Sequence, residues 1–195
     1  MQTLTQAYRK SLSESAKGKE LSKAQKAVAR WAFVDDYQAL LDLSCTDTRL
    51  LHYFSDRYTV RTCGLRDLSH QEYRNYEDTG EAEIMHGNLF DIPWRDHSFH
   101  TAFLTTPWEC RGNHQDMLSE IRRVIRPDGQ LLIALPMLSL FSPHTKKNGN
   151  ENPRLMFGVS KYRELLDILK HFGFHDSSIR FSSLGYATVV ARRNA

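Results

Sequence analysis

Two short apolar runs, Ser98–Leu104 (SFHTAFL) and Gln130–Leu135 (QLLIAL), flank a segment whose apolar residues recur every three or four positions. At that spacing Met117, Leu118, Ile121, Val124 and Ile125 fall on one stripe of a helix. Arg126-Pro-Asp-Gly129 ends it: Pro127 cannot continue a helix, and Gly129 tolerates the turn into the next run. The second run is short and continuously apolar, as expected of a strand covered on both faces. Parallel strands need a crossover between them, so strand, helix, strand in this order points to a parallel sheet.

The rest of the chain supplies more units of the same kind. Residues 4–33 read as helix, with Ala24, Ala27, Val28 and Trp31 on one face and a break near Ser13–Lys19. Gln38–Leu43, Arg57–Cys63 and Ala82–His86 read as three strands; helices are expected over Arg49–Phe54 and Leu68–Tyr76. Pro136–Gly158 is a long irregular stretch, and Ser160–His171 a helix with Ser160 as its cap. Phe174–Phe181 and Tyr186–Arg192 close the chain as a hairpin, for seven strands in all. The expected division is a helical segment over residues 1–35 and an α/β domain over 36–195.

Composition excludes several functions. A net charge of +3 on 195 residues gives no nucleic-acid signal. No apolar run approaches the roughly 20 residues that cross a bilayer. The first thirty residues hold no apolar block of secretory type, which leads to an expectation of a cytoplasmic protein. Cys45, Cys63 and Cys110 form no C-x-x-C pair and read as reduced thiols; no metal is assigned.

The stretch from Gly87 to Gly129 resembles the second half of class I S-adenosylmethionine-dependent methyltransferases of the small-molecule, type 11-like kind. The matching residues are Gly87-Asn88, Asp91-Ile-Pro-Trp94, Asp96-His-Ser-Phe-His100, and Leu118 through Gly129, in order. The resemblance implies a Rossmann-like α/β fold: a seven-stranded, mostly parallel sheet, a terminal antiparallel hairpin, and helices on both faces. It also implies S-adenosylmethionine as cofactor and a small-molecule methyl acceptor.

The cofactor loop of that family usually reads Leu-Asp-Leu-Gly-Cys-Gly-Thr-Gly-Arg-Leu. Here it is Leu41-Asp42-Leu43-Ser44-Cys45-Thr46-Asp47-Thr48-Arg49-Leu50, with Ser44, Thr46 and Thr48 replacing three glycines. Glycine allows positive φ and close approach of backbone to ligand; serine and threonine carry a Cβ but add hydroxyls. Asp47 is placed to cap the helix that follows. The acid that takes the cofactor ribose falls on Gly64 when aligned without a gap, with Asp67 the nearest carboxylate. Asn88 replaces the usual adenine-contacting Asp, Leu89 offers a backbone N–H, and Phe90 and Trp94 read equally as core or as neighbours of the ring.

The implied pocket is thus Asp42, Ser44, Cys45, Thr46, Gly64, Asn88, Leu89 and Thr105, with no base identified. Glu109, Cys110 and His114 are polar residues beside it. Two readings stay open. One is a working methyltransferase. The other is a domain that keeps the fold, has lost the cofactor and binds a protein partner.

Overall fold

The computed structural model describes residues 20–45, 47–66, 82–106, 114–136, 162–182 and 185–194. Its first helix, α1 (Lys23–Trp31), starts with a capping box: Gln25 N–H donates to Ser22 Oγ (3.2 Å), and Ser22 N–H donates to Gln25 Oε1 (2.9 Å). Strand β1 (Ala39–Asp42) is buried on both faces, and α2 (Arg49–Ser55) returns the chain to β2 (Arg61–Arg66). Then come β3 (Glu83–His86), β4 (Phe99–Leu104), α3 (His114–Val124), β5 (Ile125–Pro136), α4 (Tyr162–His171), β6 (Asp176–Phe181) and β7 (Tyr186–Arg192).

The strands form one sheet in the order β3-β2-β1-β4-β5-β7-β6. The first five are parallel, and β7 runs antiparallel to both β5 and β6. Alternating residues face opposite sides. Leu41, Leu65, Ala102, Leu104, Leu131 and Ile133 pack with α3 and α4 on one face. Leu40, Phe103, Leu132 and Ala134 pack with α1 and α2 on the other. Helices on both faces, a mostly parallel seven-stranded sheet and a terminal hairpin all match the sequence-based expectation.

Two expectations are corrected. The second strand was expected over Arg57–Cys63, but β2 begins at Arg61 and continues to Arg66, because Gly64, Leu65 and Arg66 complete the ladder with β3. At the end of α3 the residue with positive φ is Asp128 (63°), not Gly129. Gly129 is needed for space, since a Cβ there would lie 2.6 Å from Ile125 Cγ2 and 2.9 Å from the carbonyl oxygens of Arg126 and His100. Helix α1 lies on β5 and β7; Thr188 Oγ1 donates to the Ala27 carbonyl (2.9 Å) and fixes it there. The expected helices over residues 4–19 and Leu68–Tyr76, the Ser160 cap and the Pro136–Gly158 loop lie outside the described residues, apart from Pro136.

Candidate functional site at the switch point

In this strand order the chain winds outward from β1 in one direction and from β4 in the other. Ligands of open α/β sheets bind at such a switch point, beyond the carboxyl ends of the strands. Asp42 to Cys45 leave β1 there, and Thr105 and Thr106 leave β4.

Asp42 is fully buried. Its Oδ1 accepts the Ser44 N–H (3.0 Å), while Oδ2 is buried with no hydrogen-bond partner. Burial pushes its carboxyl up to about 7, and nearby Asp47 adds to the rise.

Ser44 joins the two strand ends. Its Oγ accepts the N–H groups of Thr105 (2.8 Å) and Thr106 (3.2 Å), and lies 3.0 Å from Thr105 Oγ1. Two accepted bonds use the lone pairs of Oγ, so Ser44 donates its own proton to Thr105 Oγ1. A hydroxyl thus ties β1 to β4.

Cys45 explains Gly64. The Cys45 backbone N–H donates to the Leu65 carbonyl (3.1 Å), which lays its side chain on β2. A Cβ on Gly64 would lie 2.6 Å from Cys45 Sγ and 2.7 Å from Ile84 Cδ1. Gly64 sits in mid-strand, paired with Asp42 and Ile84, and not at the strand end where a ribose ligand is expected. Gly64→Ala is therefore expected to destabilise the domain by about 1–3 kcal/mol through overpacking. A urea titration reads this, and an unchanged midpoint would show that Cys45 yields freely.

Sequence reasoning missed Arg66. It ends β2, is buried, and donates from Nε to the Cys45 carbonyl (3.5 Å). Reading the strand to its hydrogen-bonded end instead of to its last apolar residue finds it. Asp67 and Thr46 lie outside the described residues, as do Glu109 and Cys110.

Asp47 does act on the helix start. Its Oδ1 accepts the N–H of Arg49 (3.0 Å) and the amide of Gln25 (3.2 Å), and its Oδ2 pairs with Arg49 (2.5 Å). Burial works to raise its pKa, but the bonds from Arg49 and Gln25 hold it below the usual carboxylate value. Through Gln25, helix α1 is tied to the loop after β1.

Asn88 lies beyond β3. It is exposed, and its Oδ1 accepts the Phe90 N–H (2.8 Å). Leu89 is half-buried against the core. Trp94 belongs to the core, edge-on to Phe99 at 5.4 Å, with Nε1 donating to Glu83 (3.3 Å); Phe90 is exposed. The structure therefore gathers Asp42, Ser44, Cys45 and Thr105 into one network with Gly64 beneath Cys45. Asn88 and Leu89 stand apart, on the far side of β2.

Residues 41–133, which carry every one of these groups, match the methyltransferase domain family. Over that stretch, a little under half of its length, the chain is similar to methyltransferase domains. An O-methyltransferase of Aspergillus nomiae is 25% identical to it over 103 residues, 50% of this chain and 46% of that protein. The chain thus matches about half the length of that relative. Among solved structures, a SAM-dependent methyltransferase from Aquifex aeolicus superposes with a TM-score of 0.60 at 18% identity, covering 93% of this chain and 97% of the other. The cyclase SpnF superposes with a TM-score of 0.61 at 16% identity, covering 88% and 80%. Both likenesses are of fold; the second is to a protein named for different chemistry.

Proposed function

We propose that this chain is an S-adenosylmethionine-dependent methyltransferase acting on a small molecule, with residues 1–35 a helical addition to the domain over 36–195. One observation carries the reading. Asp42 holds a buried carboxylate oxygen without a partner at the switch point, inside the residues that match the family. An orphaned buried acceptor is costly unless a donor meets it, and a cationic donor suits it best. The ammonium of the cofactor's amino-acid part is such a group, so the residues fit. Bound there, the cofactor supplies an electrophilic methyl group on a sulfonium.

The residues of this chain have binding and positioning roles. Asp42 would hold the ammonium. Thr105 and Ser44 fix the separation of the β1 and β4 ends, and Cys45 holds the loop on Gly64. Transfer of a methyl group depends chiefly on alignment of nucleophile and sulfonium, which a rigid floor favours. The buried, free thiol of Cys63 supports a cytoplasmic location. Among the described residues no helix is long and apolar enough to cross a membrane.

A second reading rests on Ser44 and Arg66. The Ser44 hydroxyl consumes two backbone donors at the end of β4, and a guanidinium ends β2 where the family has a carboxylate. Both favour a domain that keeps the fold, has given up the cofactor and serves a protein partner. Calorimetric titration with S-adenosylmethionine separates the two. Micromolar binding is expected; no heat and no thermal shift at millimolar ligand would leave the scaffold reading in place.

A further inference from the structure

At the opposite end of the sheet, the starts of β1 and β4 and the end of β7 border a cavity of about 270 Å³. Phe33, Gln38, His100, Arg126, Asp128 and Arg192 are among its walls. Gln38 precedes β1 and Asp42 ends it, so at about 3.3 Å per residue the cavity lies roughly 13 Å from the switch point.

His100 sets its chemistry. The Ala39 backbone N–H donates to His100 Nδ1 (3.0 Å). A backbone N–H cannot accept, so Nδ1 presents its lone pair and the ring proton sits on Nε2. His100 Nε2 lies 3.0 Å from Arg126 Nη1. A guanidinium has donors only. An N–H therefore faces an N–H at hydrogen-bond distance, beside a full positive charge, and an acceptor is wanted there. Burial, with Arg126 adding to it, lowers the His100 pKa, which keeps the ring neutral but leaves the Nε2 proton in place.

The remaining walls agree. Arg192 brings a second guanidinium from β7. Among the described residues no carboxylate forms an ion pair with Arg126 or Arg192. Gln38 Oε1 is buried with no hydrogen-bond partner, and turning that amide over presents its N–H₂ to the cavity instead. Among the described residues Asp128 is the one acidic side chain on the wall. The Phe33 ring is 63% exposed at the rim, a large apolar surface for a residue of its type.

We propose that this cavity binds a phosphate monoester, its phosphoryl oxygens on His100, Arg126 and Arg192 and its organic part over Phe33. Donors arriving from three separate elements suit a tetrahedral group with three oxygens better than a planar carboxylate.

The test is a titration of the full chain with inorganic phosphate, phenyl phosphate and benzoate at constant ionic strength. The imidazole nitrogen signals of His100 are followed by NMR, and heat by calorimetry. A saturable shift of Nε2 with both phosphates is expected, with phenyl phosphate the tighter. Arg126→Ala and Arg192→Ala, both at exposed positions, should each weaken binding about tenfold or more while the melting temperature holds. S-adenosylmethionine binding should be unaffected in both variants. The proposal is overturned by an unmoved His100 signal at tens of millimolar phosphate, or by either variant binding phosphate as tightly as the native chain. Benzoate binding as tightly as phenyl phosphate would overturn the assignment to a phosphoryl group.

Discussion

Asp42→Asn is expected to be more stable than the native chain above about pH 7, and to bind S-adenosylmethionine more weakly. Burial raises the native Asp42 pKa from 3.8 to about 7. In the unfolded chain the group ionises near its ordinary value of about 4. Below that pH both states hold the proton, and the carboxyl costs nothing in charge. Between about pH 4 and pH 7 the unfolded state has released its proton and the native state has not, so stability falls as pH rises. Above about pH 7 the loss is complete. Three pKa units correspond to a cost on the order of 4 kcal/mol. An amide keeps the shape and the bond from Ser44 without the charge, so thermal melts of Asp42→Asn across this range should lack that decline. The same slope in both proteins would refute the assignment. A variant that gains stability while losing cofactor affinity marks a residue kept for binding, since general damage lowers both.

Arg123→Ala is expected to cost about 2–4 kcal/mol. Arg123 projects from α3 and holds the connection between β3 and β4. Its Nε and Nη2 pair with the two carboxylate oxygens of Glu120 (2.7 and 2.8 Å). Its Nη1 donates to the Trp94 carbonyl (2.8 Å) and to Asp96 (2.8 Å), and Nη2 also donates to the Ile92 carbonyl (2.8 Å). Glu120 in turn accepts the Ile92 N–H (3.0 Å). Hydrogen bonds from Arg123 hold Glu120 and Asp96 below their usual carboxylate values. Removing the guanidinium takes a donor from the Ile92 and Trp94 carbonyls and from the Glu120 and Asp96 carboxylates, beside buried Ile92 and Trp94. Arg123→Lys should recover less than half of the loss, because an ammonium cannot span the fork. Urea titration of the two variants decides it; full recovery by lysine would reduce the network to simple charge.

The parts of this fold that could be read from sequence are those with local causes. The helix ending at Val124 follows from the spacing of Met117, Leu118, Ile121 and Val124, and its stop from Pro127. The hairpin follows from two β runs around a turn. The errors have distant causes. Gly64 resembled a strand end until Cys45, nineteen positions earlier in the chain, was seen lying on it. Gly129 resembled a turn residue, yet the turn falls to Asp128 while Gly129 makes room for the His100 carbonyl. At the switch point, Asp42, Ser44 and Thr105 could be named from family spacing, but the Ser44 hydroxyl taking the Thr105 and Thr106 amides depends on the β1–β4 register. The cavity at the other end was illegible, because its walls come from four separate segments and no spacing links them.

The place of β7 has a consequence for how the protein is made. It is the last described strand in chain order, yet it sits between β5 and β6 and is β6's sole partner in the sheet. Helix α1, near the other end of the described chain, rests on it through Thr188. On the ribosome, β5 and one flank of α1 therefore emerge long before the surface that covers them. Until residues 186–192 leave the exit tunnel, the nascent chain carries an open edge on β5 and an unmatched strand behind it. Such surfaces attract chaperones and neighbouring chains. The domain closes only once residues 186–192 are out, and its yield in a cell depends on what shields β5 in the interval.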